Sequence, residues 1–344
     1  MPAAPDLPPA AAPGLDVLIP HYADPAGLDL ALTSIAAQDW LDDPANRLRV
    51  VVVDDGSPAD ALAAAQAVCD RFRAASGQAL HLERLARNMG RPAARNRLLD
   101  LAQAPYLAWL DAGDIWYPAR LRVQFAHLAA LEAAGADPAR IWVSCAYDWD
   151  QHGARRPRAQ RVEGAPLAAR LEGDHLRAEL WTLLARAEAM AIAGRFDPQL
   201  PRLQDLDWFV TFIRAGGRIT VPPESDPPDP VPLCCYFKSD LGRDARQIAA
   251  SHARVLARHA PAIARYPRRF RARLRQKGPL LAARFARANG AWGLAAWYLA
   301  AAVLASPGRS LGAALRRVAG PVAGPVAGRW RRFAEAGTGG RRAP

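Results

Sequence analysis

Lysine is scarce in this chain. Lys238 and Lys277 stand against 43 arginines, and with the abundance of alanine that skew reads as coding bias rather than function. Cysteine is scarce as well. Cys69, Cys145, Cys234 and Cys235 form no Cys-x-x-Cys pair, which argues against a disulfide framework or a zinc site and fits a reducing cytosol. No apolar run reaches the roughly twenty residues that a bilayer-spanning helix needs. The most apolar stretch, residues 291–306, has about sixteen. The N-terminus has no basic segment leading into an apolar one, so no secretory signal is expected, and the Pro- and Ala-rich residues 1–14 read as disordered. A Gly-x-Gly-x-x-Gly turn is missing after the first candidate strand, where Pro20-His21-Tyr22 stands instead; this argues against a dinucleotide-binding oxidoreductase.

What the chain does have is 344 residues, 51% of them hydrophobic and 23% charged, enough for one large or two smaller domains with a sizeable core. The net charge of +12 is unevenly spread. From Arg254 onward there are 19 basic residues and one acidic one, Glu335, whereas the preceding 253 residues carry 26 basic and 32 acidic groups. The basicity therefore belongs to the C-terminal segment. Such a segment suits an anionic surface, either membrane or nucleic acid. No nucleic-acid recognition element accompanies it, so the expectation is no nucleic acid and peripheral contact with an anionic membrane. A solvated helical appendage is the plainer alternative.

The first half alternates short apolar runs with helical periodicity. Residues 16–20 read as a strand stopped by Pro20, and Leu28, Leu32 and Ile35 recur at helical spacing toward Gln38. The valine-rich residues 48–53 read as a buried parallel strand, 59–75 as a helix and 81–85 as a weaker strand. Gly90 and Pro92 open another helix, residues 106–110 form the next strand, and a helix follows from Pro118 to about residue 134. This β-α order with short loops predicts a mostly parallel, doubly wound sheet. The second half is less regular. Residues 141–145 read as a strand, 151–175 as a polar, Arg-rich mobile loop, 180–184 as a short strand and 186–193 as a helix. A further helix opens near Gln204 and Asp205, either of which could simply cap it. Residues 218–221 and 232–238 read as strands, and helices follow from Arg246, with a break at Pro307-Gly308.

Two strands end in carboxylates, one at Asp54-Asp55 and one at Asp111-Ala112-Gly113-Asp114. In a parallel sheet both ends open on the same edge, where open α/β sheets bind ligands. Two carboxylates three residues apart can hold a hard divalent cation, although Asp114 could equally cap a helix. Arg91 and Arg95 lie at a helix N-terminus, a good anion site, or else form a solvated pair.

In this order Val17-Leu18-Ile19-Pro20-His21-Tyr22, Ser34 to Gln38, Val52-Val53-Asp54-Asp55-Gly56-Ser57, Asn88-Met89-Gly90 with Ala94-Arg95-Asn96, Leu110 to Asp114, and Gly194-Arg195-Phe196-Asp197 with Gln204-Asp205-Leu206-Asp207-Trp208 resemble family 2 glycosyltransferases of the GT-A fold. The resemblance covers about residues 15–240 and implies roles. Pro20, His21, Tyr22, Asp54 and Asp55 would line the pocket for the base and ribose of a nucleotide-diphosphate sugar. Arg91 or Arg95 would lie near its diphosphate, and Asp111 and Asp114 would touch the ribose and hold Mg2+ or Mn2+. Asp205 would be the general base of a single inverting displacement, with Gln204, Asp207 and Trp208 on the acceptor side. One departure concerns the metal: Gly113 stands where the family usually has a carboxylate, so either Asp114 takes over or the metal is weakly held.

The resemblance thus implies transfer of a sugar to a hydroxyl of a glycan or lipid-linked acceptor in cell-surface polysaccharide synthesis, in the cytoplasm or at the inner face of its membrane. The alternative is a non-catalytic GT-A-like binding or scaffold protein. The expected organisation is a disordered segment 1–14, a transferase domain 15–240, a helical extension 241–318 and a flexible basic tail 319–344.

Overall fold

The computed structural model describes residues 14–151, 153–162, 166–173, 176–177, 179–223, 231–237 and 243–305. Residues 1–13, Lys238, the Pro307-Gly308 break and the tail 319–344 lie outside the described residues.

The first half runs β1 (Leu15–His21), α1 (Pro25–Ala36), β2 (Leu48–Asp54), α2 (Ala59–Ser76), β3 (Ala79–Arg84), α3 (Arg91–Leu101), β4 (Tyr106–Trp109), β5 (Ile115–Trp116) and α4 (Arg120–Ala133). It continues through β6 (Ile141–Val143), β7 (Tyr147–Gln151), β8 (Ala154–Arg158), α5 (Pro166–Glu172), β9 (Leu184–Arg186), α6 (Ala187–Ala191), α7 (Gln204–Arg214), β10 (Arg218–Thr220) and β11 (Cys234–Phe237). Four helices close the chain: α8 (Ala245–Arg258), α9 (Ala260–Ile263), α10 (Arg268–Ala288) and α11 (Trp292–Ala305).

The seven-stranded sheet has the order β10-β6-β9-β4-β1-β2-β3. All its pairings are parallel except those of β9, which runs antiparallel to both β4 and β6. Every residue of β1 is buried, because both faces of the sheet are covered. Alternate strand residues serve opposite cores, as the two-residue period of a strand requires. Val17, Ile19, Val50 and Val52 pack with Leu28, Leu32, Val68 and Leu121 of α1, α2 and α4. Leu18, Val51 and Val53 pack on the other face with Leu98, Met190 and Phe209 of α3, α6 and α7. The expected α/β architecture is present, and α7 is stitched to the sheet by aromatics. Trp142 stacks on Phe212 with ring centroids 3.7 Å apart and on Trp208 at 4.5 Å.

Three expectations are corrected. The short strand lies at Leu184–Arg186, after a 3-10 turn at Leu180–Thr182, so its expected position at 180–184 was early. An apolar run does not fix which of its residues pair. The expected helix at 186–193 is likewise the shorter α6, Ala187–Ala191. The segment 151–175 is not a loop in its described parts. Ala154–Arg158 pairs antiparallel with β7, and Pro166–Glu172 is α5. Its Arg-rich strand was illegible because all five residues of β8 are exposed and show no apolar alternation. It belongs to a second sheet, β5-β11-β7-β8.

The C-terminal helices share cores with the α/β part. Ile263, Phe270 and Leu274 cluster with Leu171 of α5 and Val210 of α7, and Leu203 packs against a cluster of α8, α10 and α11 residues. No helix among the described residues is long and apolar enough to cross a membrane.

Candidate active site

Parallel pairing fixes the first part of the site. β1 lies between β2 and β4, so Asp54-Asp55 and the turn 111–114 emerge on one edge. Ser34 and Gln38 on α1 hold the chain beyond that turn: Ser34 Oγ accepts from Trp116 N at 3.1 Å, and Gln38 Nε2 donates to Tyr117 O at 2.9 Å. The turn itself is closed by Asp114 N donating to Asp111 O at 3.1 Å, with Gly113 at φ +92° and its N donating to Gly27 O at 3.0 Å. A carboxylate-bearing residue at position 113 would adopt a left-handed backbone that side chains disfavour. The glycine is therefore matched to this turn, and Asp114 is no helix cap, since its Oδ1 accepts from Phe237 N of β11 at 3.1 Å.

Asp111 and Asp205 meet through one cation. Arg95, fully buried on α3, donates from Nη2 to both oxygens of Asp111 at 3.0 and 3.2 Å, and from Nη1 to Asp205 Oδ1. Burial works against the charge on Arg95, and the carboxylates of Asp205 and Asp111 outweigh it, so its pKa is raised. Burial also pushes Asp111 up, but Arg95 and then Arg91 hold it below the ordinary carboxylate range. For Asp205 burial prevails over the pull of Arg95, and its pKa is raised. Asp114 is pushed well above the ordinary range by burial and then by the charge of Asp111.

Asp205 lies in the first turn of α7, whose preceding residue is Leu203 at φ +59°; neither Gln204 nor Asp205 caps the helix. A bulky residue at positive φ is strained backbone, of the kind concentrated at functional sites. These groups open on a cavity of about 1000 Å³ lined by Arg91, Asp111, Gly113, Asp114, Gln204 and Asp205 among others. Its remaining wall is one that sequence reasoning missed: Trp149, Arg170, Glu179 and Tyr236, with Lys277 and Arg284 of α10. Burial pushes Glu179 up to about 7 against the pull of Arg177. No motif or spacing in the sequence singled it out.

The other expected residues are placed as follows. Arg91 lines the cavity 3.8 Å from Asp111, whereas Arg95 is the cation bound to both acids. Pro20 and His21 end β1, and Tyr22 is half exposed beside them. His21 Nδ1 and Asp54 Oδ2 are 2.8 Å apart, and Asp54 Oδ1 accepts from Ser57 N at 2.8 Å. Asp55 accepts from Met89 N and Gly90 N at 2.8 and 2.9 Å. Gly56, at φ +73°, lets Arg87 and Asn88 approach so closely that a Cβ would meet Arg87 backbone at 2.3 Å. Two acceptor-side expectations are corrected. Asp207 faces away from the cavity and pairs with His259 Nε2 and Arg258 Nη1, both at 2.8 Å. Trp208 is buried in the aromatic core and donates from Nε1 to Gly194 O at 2.8 Å. Their side chains are committed to the C-terminal helices and to the aromatic core and do not line the cavity.

The described residues contain no group of three His, Cys, Asp or Glu side chains able to hold a metal. Asp111 and Asp114 nevertheless fit a partial ligand set. They are two carboxylates on one turn, and the charge of one raises the pKa of the other, a repulsion that a divalent cation relieves.

Two measurements test this electrostatic arrangement. Arg95→Met leaves two buried carboxylates without their cation, so it should cost ~3–5 kcal/mol at pH 7 and less at pH 5, read from urea midpoints. Glu179 binds its proton more tightly folded than unfolded, so its contribution to stability falls as pH rises from about 4.5 to about 7. In Glu179→Gln the stability difference between pH 5 and pH 7 should shrink by roughly 1–3 kcal/mol.

Comparison with known proteins agrees with this geometry. Residues 16–183 match the family model described as Glycosyl transferase family 2. The succinoglycan biosynthesis protein ExoU of Rhizobium meliloti (strain 1021) is 39% identical over 72 residues, covering 21% of this chain and 20% of the relative. The validoxylamine A glucosyltransferase of Streptomyces hygroscopicus subsp. jinggangensis (strain 5008) is 33% identical over 155 residues, 45% of this chain and 33% of the relative. The chain thus spans a third or less of the length of these curated relatives. Among solved structures, S. aureus TarS 1-349 in complex with UDP superposes with a TM-score of 0.55 at 19% identity, covering 88% of this chain and 87% of that one. The mannosyltransferase PcManGT from Pyrobaculum calidifontis, in complex with GDP-Man and Mn2+, gives 0.50 at 22% identity, covering 91% and 81%. The fold is that of GT-A structures, and residues 16–183 of the chain form a glycosyl transferase family 2 domain.

Proposed function

We propose that the protein transfers a sugar, with inversion, from a nucleotide-diphosphate sugar to a hydroxyl of a glycan or lipid-linked acceptor in polysaccharide synthesis. The observation that carries this reading is the bridge Asp111–Arg95–Asp205 on one cavity. It joins the strand-edge acid of the donor side to a carboxylate on the opposite wall. The family 2 domain supports it, as do the succinoglycan relative and the nucleotide and nucleotide-sugar complexes of the structural neighbours.

Asp205 takes the proton from the acceptor hydroxyl, which attacks the anomeric carbon from the face opposite the leaving nucleoside diphosphate. The raised pKa of Asp205 makes it a stronger base than an exposed carboxylate, and Arg95 favours its ionised form. Arg91, half exposed beside Asp111, offers a cation to the diphosphate. Asp54, Asp55, Pro20, His21 and Tyr22 form the adjoining edge for base and ribose. A Mg2+ or Mn2+ held by Asp111 and Asp114 would neutralise charge developing on the leaving group. One carboxylate acts at the reacting centre because no glycosyl-enzyme forms, unlike the paired carboxylates of retaining hydrolases.

Lipid-linked acceptors favour attachment at a membrane surface. Helix α11 carries no charged residue and exposes Trp292, Trp297 and Leu304 by 65, 62 and 78%. It follows the arginine-rich α10, and apolar aromatics beside cations suit a bilayer interface.

Asp205→Asn should lower turnover of the nucleotide sugar by roughly 10³-fold or more while UDP or GDP still raises the thermal midpoint in the presence of Mn2+. Turnover retained in that variant removes the catalytic reading, and nucleotide binding without turnover in the parent protein favours a scaffold. For the membrane contact, a Trp292→Ser/Trp297→Ser double variant should sediment less with phosphatidylserine-containing vesicles; equal sedimentation argues against it.

A further inference from the structure

Arg170 is the side chain in the cavity that the reaction outlined above leaves unused. It stands on α5, is 1% exposed, and none of its three guanidinium nitrogens has a hydrogen-bond partner among the described residues. Its guanidinium lies 4.4 Å over the ring of Phe209, which supports it from one side and satisfies none of its N–H donors. Buried polar groups in folded proteins are almost always hydrogen-bonded, so five idle donors on a charged group call for an explanation. The nearby acids, Glu179 and Asp205, act on it through space without forming an ion pair.

The surroundings of Arg170 are cationic. Lys277 of α10 reaches the end of α5, where its Nζ donates to Leu171 O at 3.1 Å. Arg202, Lys277 and Arg284 line the same cavity. These cations come from α5, α10 and the segment before α7, whereas Asp111 and Asp114 come from the strand edge. Donors arriving from several directions match a tetrahedral dianion better than a planar carboxylate, and arginine binds phosphoryl oxygens with paired N–H groups.

We propose that Arg170, with Lys277 and Arg284, binds a phosphoryl group carried by the acceptor, so that the hydroxyl presented to Asp205 belongs to a phosphorylated substrate. This rests on the transferase reading, because it is the position of Asp205 in the same cavity that makes the anion part of the acceptor. Arg170 is then a binding residue whose idle donors are satisfied only when substrate is present.

The test is a thermal-shift titration of the full chain with inorganic phosphate at constant ionic strength in EDTA, alongside UDP and GDP with Mn2+. Phosphate should stabilise the parent protein, and Arg170→Met should weaken that binding roughly tenfold or more while leaving nucleotide binding within about twofold. The ligand-free variant should be as stable as the parent or more so, since it loses an unpaired buried charge. No stabilisation of the parent by phosphate overturns the proposal, and this arm needs no variant. Equal phosphate binding by parent and Arg170→Met overturns it as well. So does a matching loss of nucleotide binding, which would assign Arg170 to the donor diphosphate. Glucuronate binding more tightly than phosphate overturns the phosphoryl class. If Arg170→Met does not fold, Lys277→Met is read in the same way. Of glycerol 3-phosphate and pyrophosphate, the tighter binder identifies the group as a phosphate ester or a lipid-type diphosphate. Failure of both nucleotides to bind counts against the transferase reading and leaves the phosphate result standing.

Discussion

A single buried guanidinium holds the two sides of the cavity together. Arg95 has no exposure to solvent, and it is stable there only because Asp111 and Asp205 accept its hydrogen bonds. A buried charge that loses its partners is costly, so each of the three side chains constrains the others. The strand edge and helix α7 cannot move apart without exposing that cost. The two acids differ in character: Arg95 and Arg91 hold Asp111 below the ordinary carboxylate range, while at Asp205 burial and the charge of Asp111 prevail over the same arginines and raise it.

The helix that carries Asp205 is fixed from every side. Its inner face is clamped by the Trp142, Trp208 and Phe212 stack, and Asp207 ties it to His259 and Arg258 of the C-terminal helices. The turn before it is locked to α3 by Asn96, which donates to Phe196 O at 3.0 Å and accepts from Phe196 N at 2.8 Å. Residues that resemble family motifs thus serve in part as scaffolding. Asn96, Gly194 and Asp207 hold α7 and the turn before it in position and do not line the cavity.

The sheet was legible because its signals are local. Valine runs, a two-residue period and acid-terminated strand ends depend on neighbours in sequence, and the strands at 48–54 and 106–109 follow them closely. The small second sheet was not legible. Its β8 is wholly exposed and held by pairing with β7, with Arg158 and Arg177 lying over Trp149, and none of this produces apolar periodicity. Within the site, Asp111, Asp114 and Asp205 could be found as carboxylates at turns and helix starts. The arginine shared by Asp111 and Asp205 could not be told from its neighbour Arg91, since both lie at the start of the same helix. Arg170 and Glu179 come together only through tertiary packing, so no spacing announces them. Asp207 and Trp208 show the converse: a motif carries residues together in sequence whose side chains the tertiary packing then commits to different partners.

The wall built by α8 and α10 lies entirely beyond the stretch that matches the family model, yet Lys277 touches α5 and Ile248 and Phe285 line the reacting cavity. The part of the chain that matches the family model is therefore smaller than the part that encloses the cavity. The acids of the strand edge are fixed by the pairing of the sheet, while the wall opposite is built by separate helices. Substitution in those helices can therefore reshape one side of the cavity while the strand edge across it keeps its geometry.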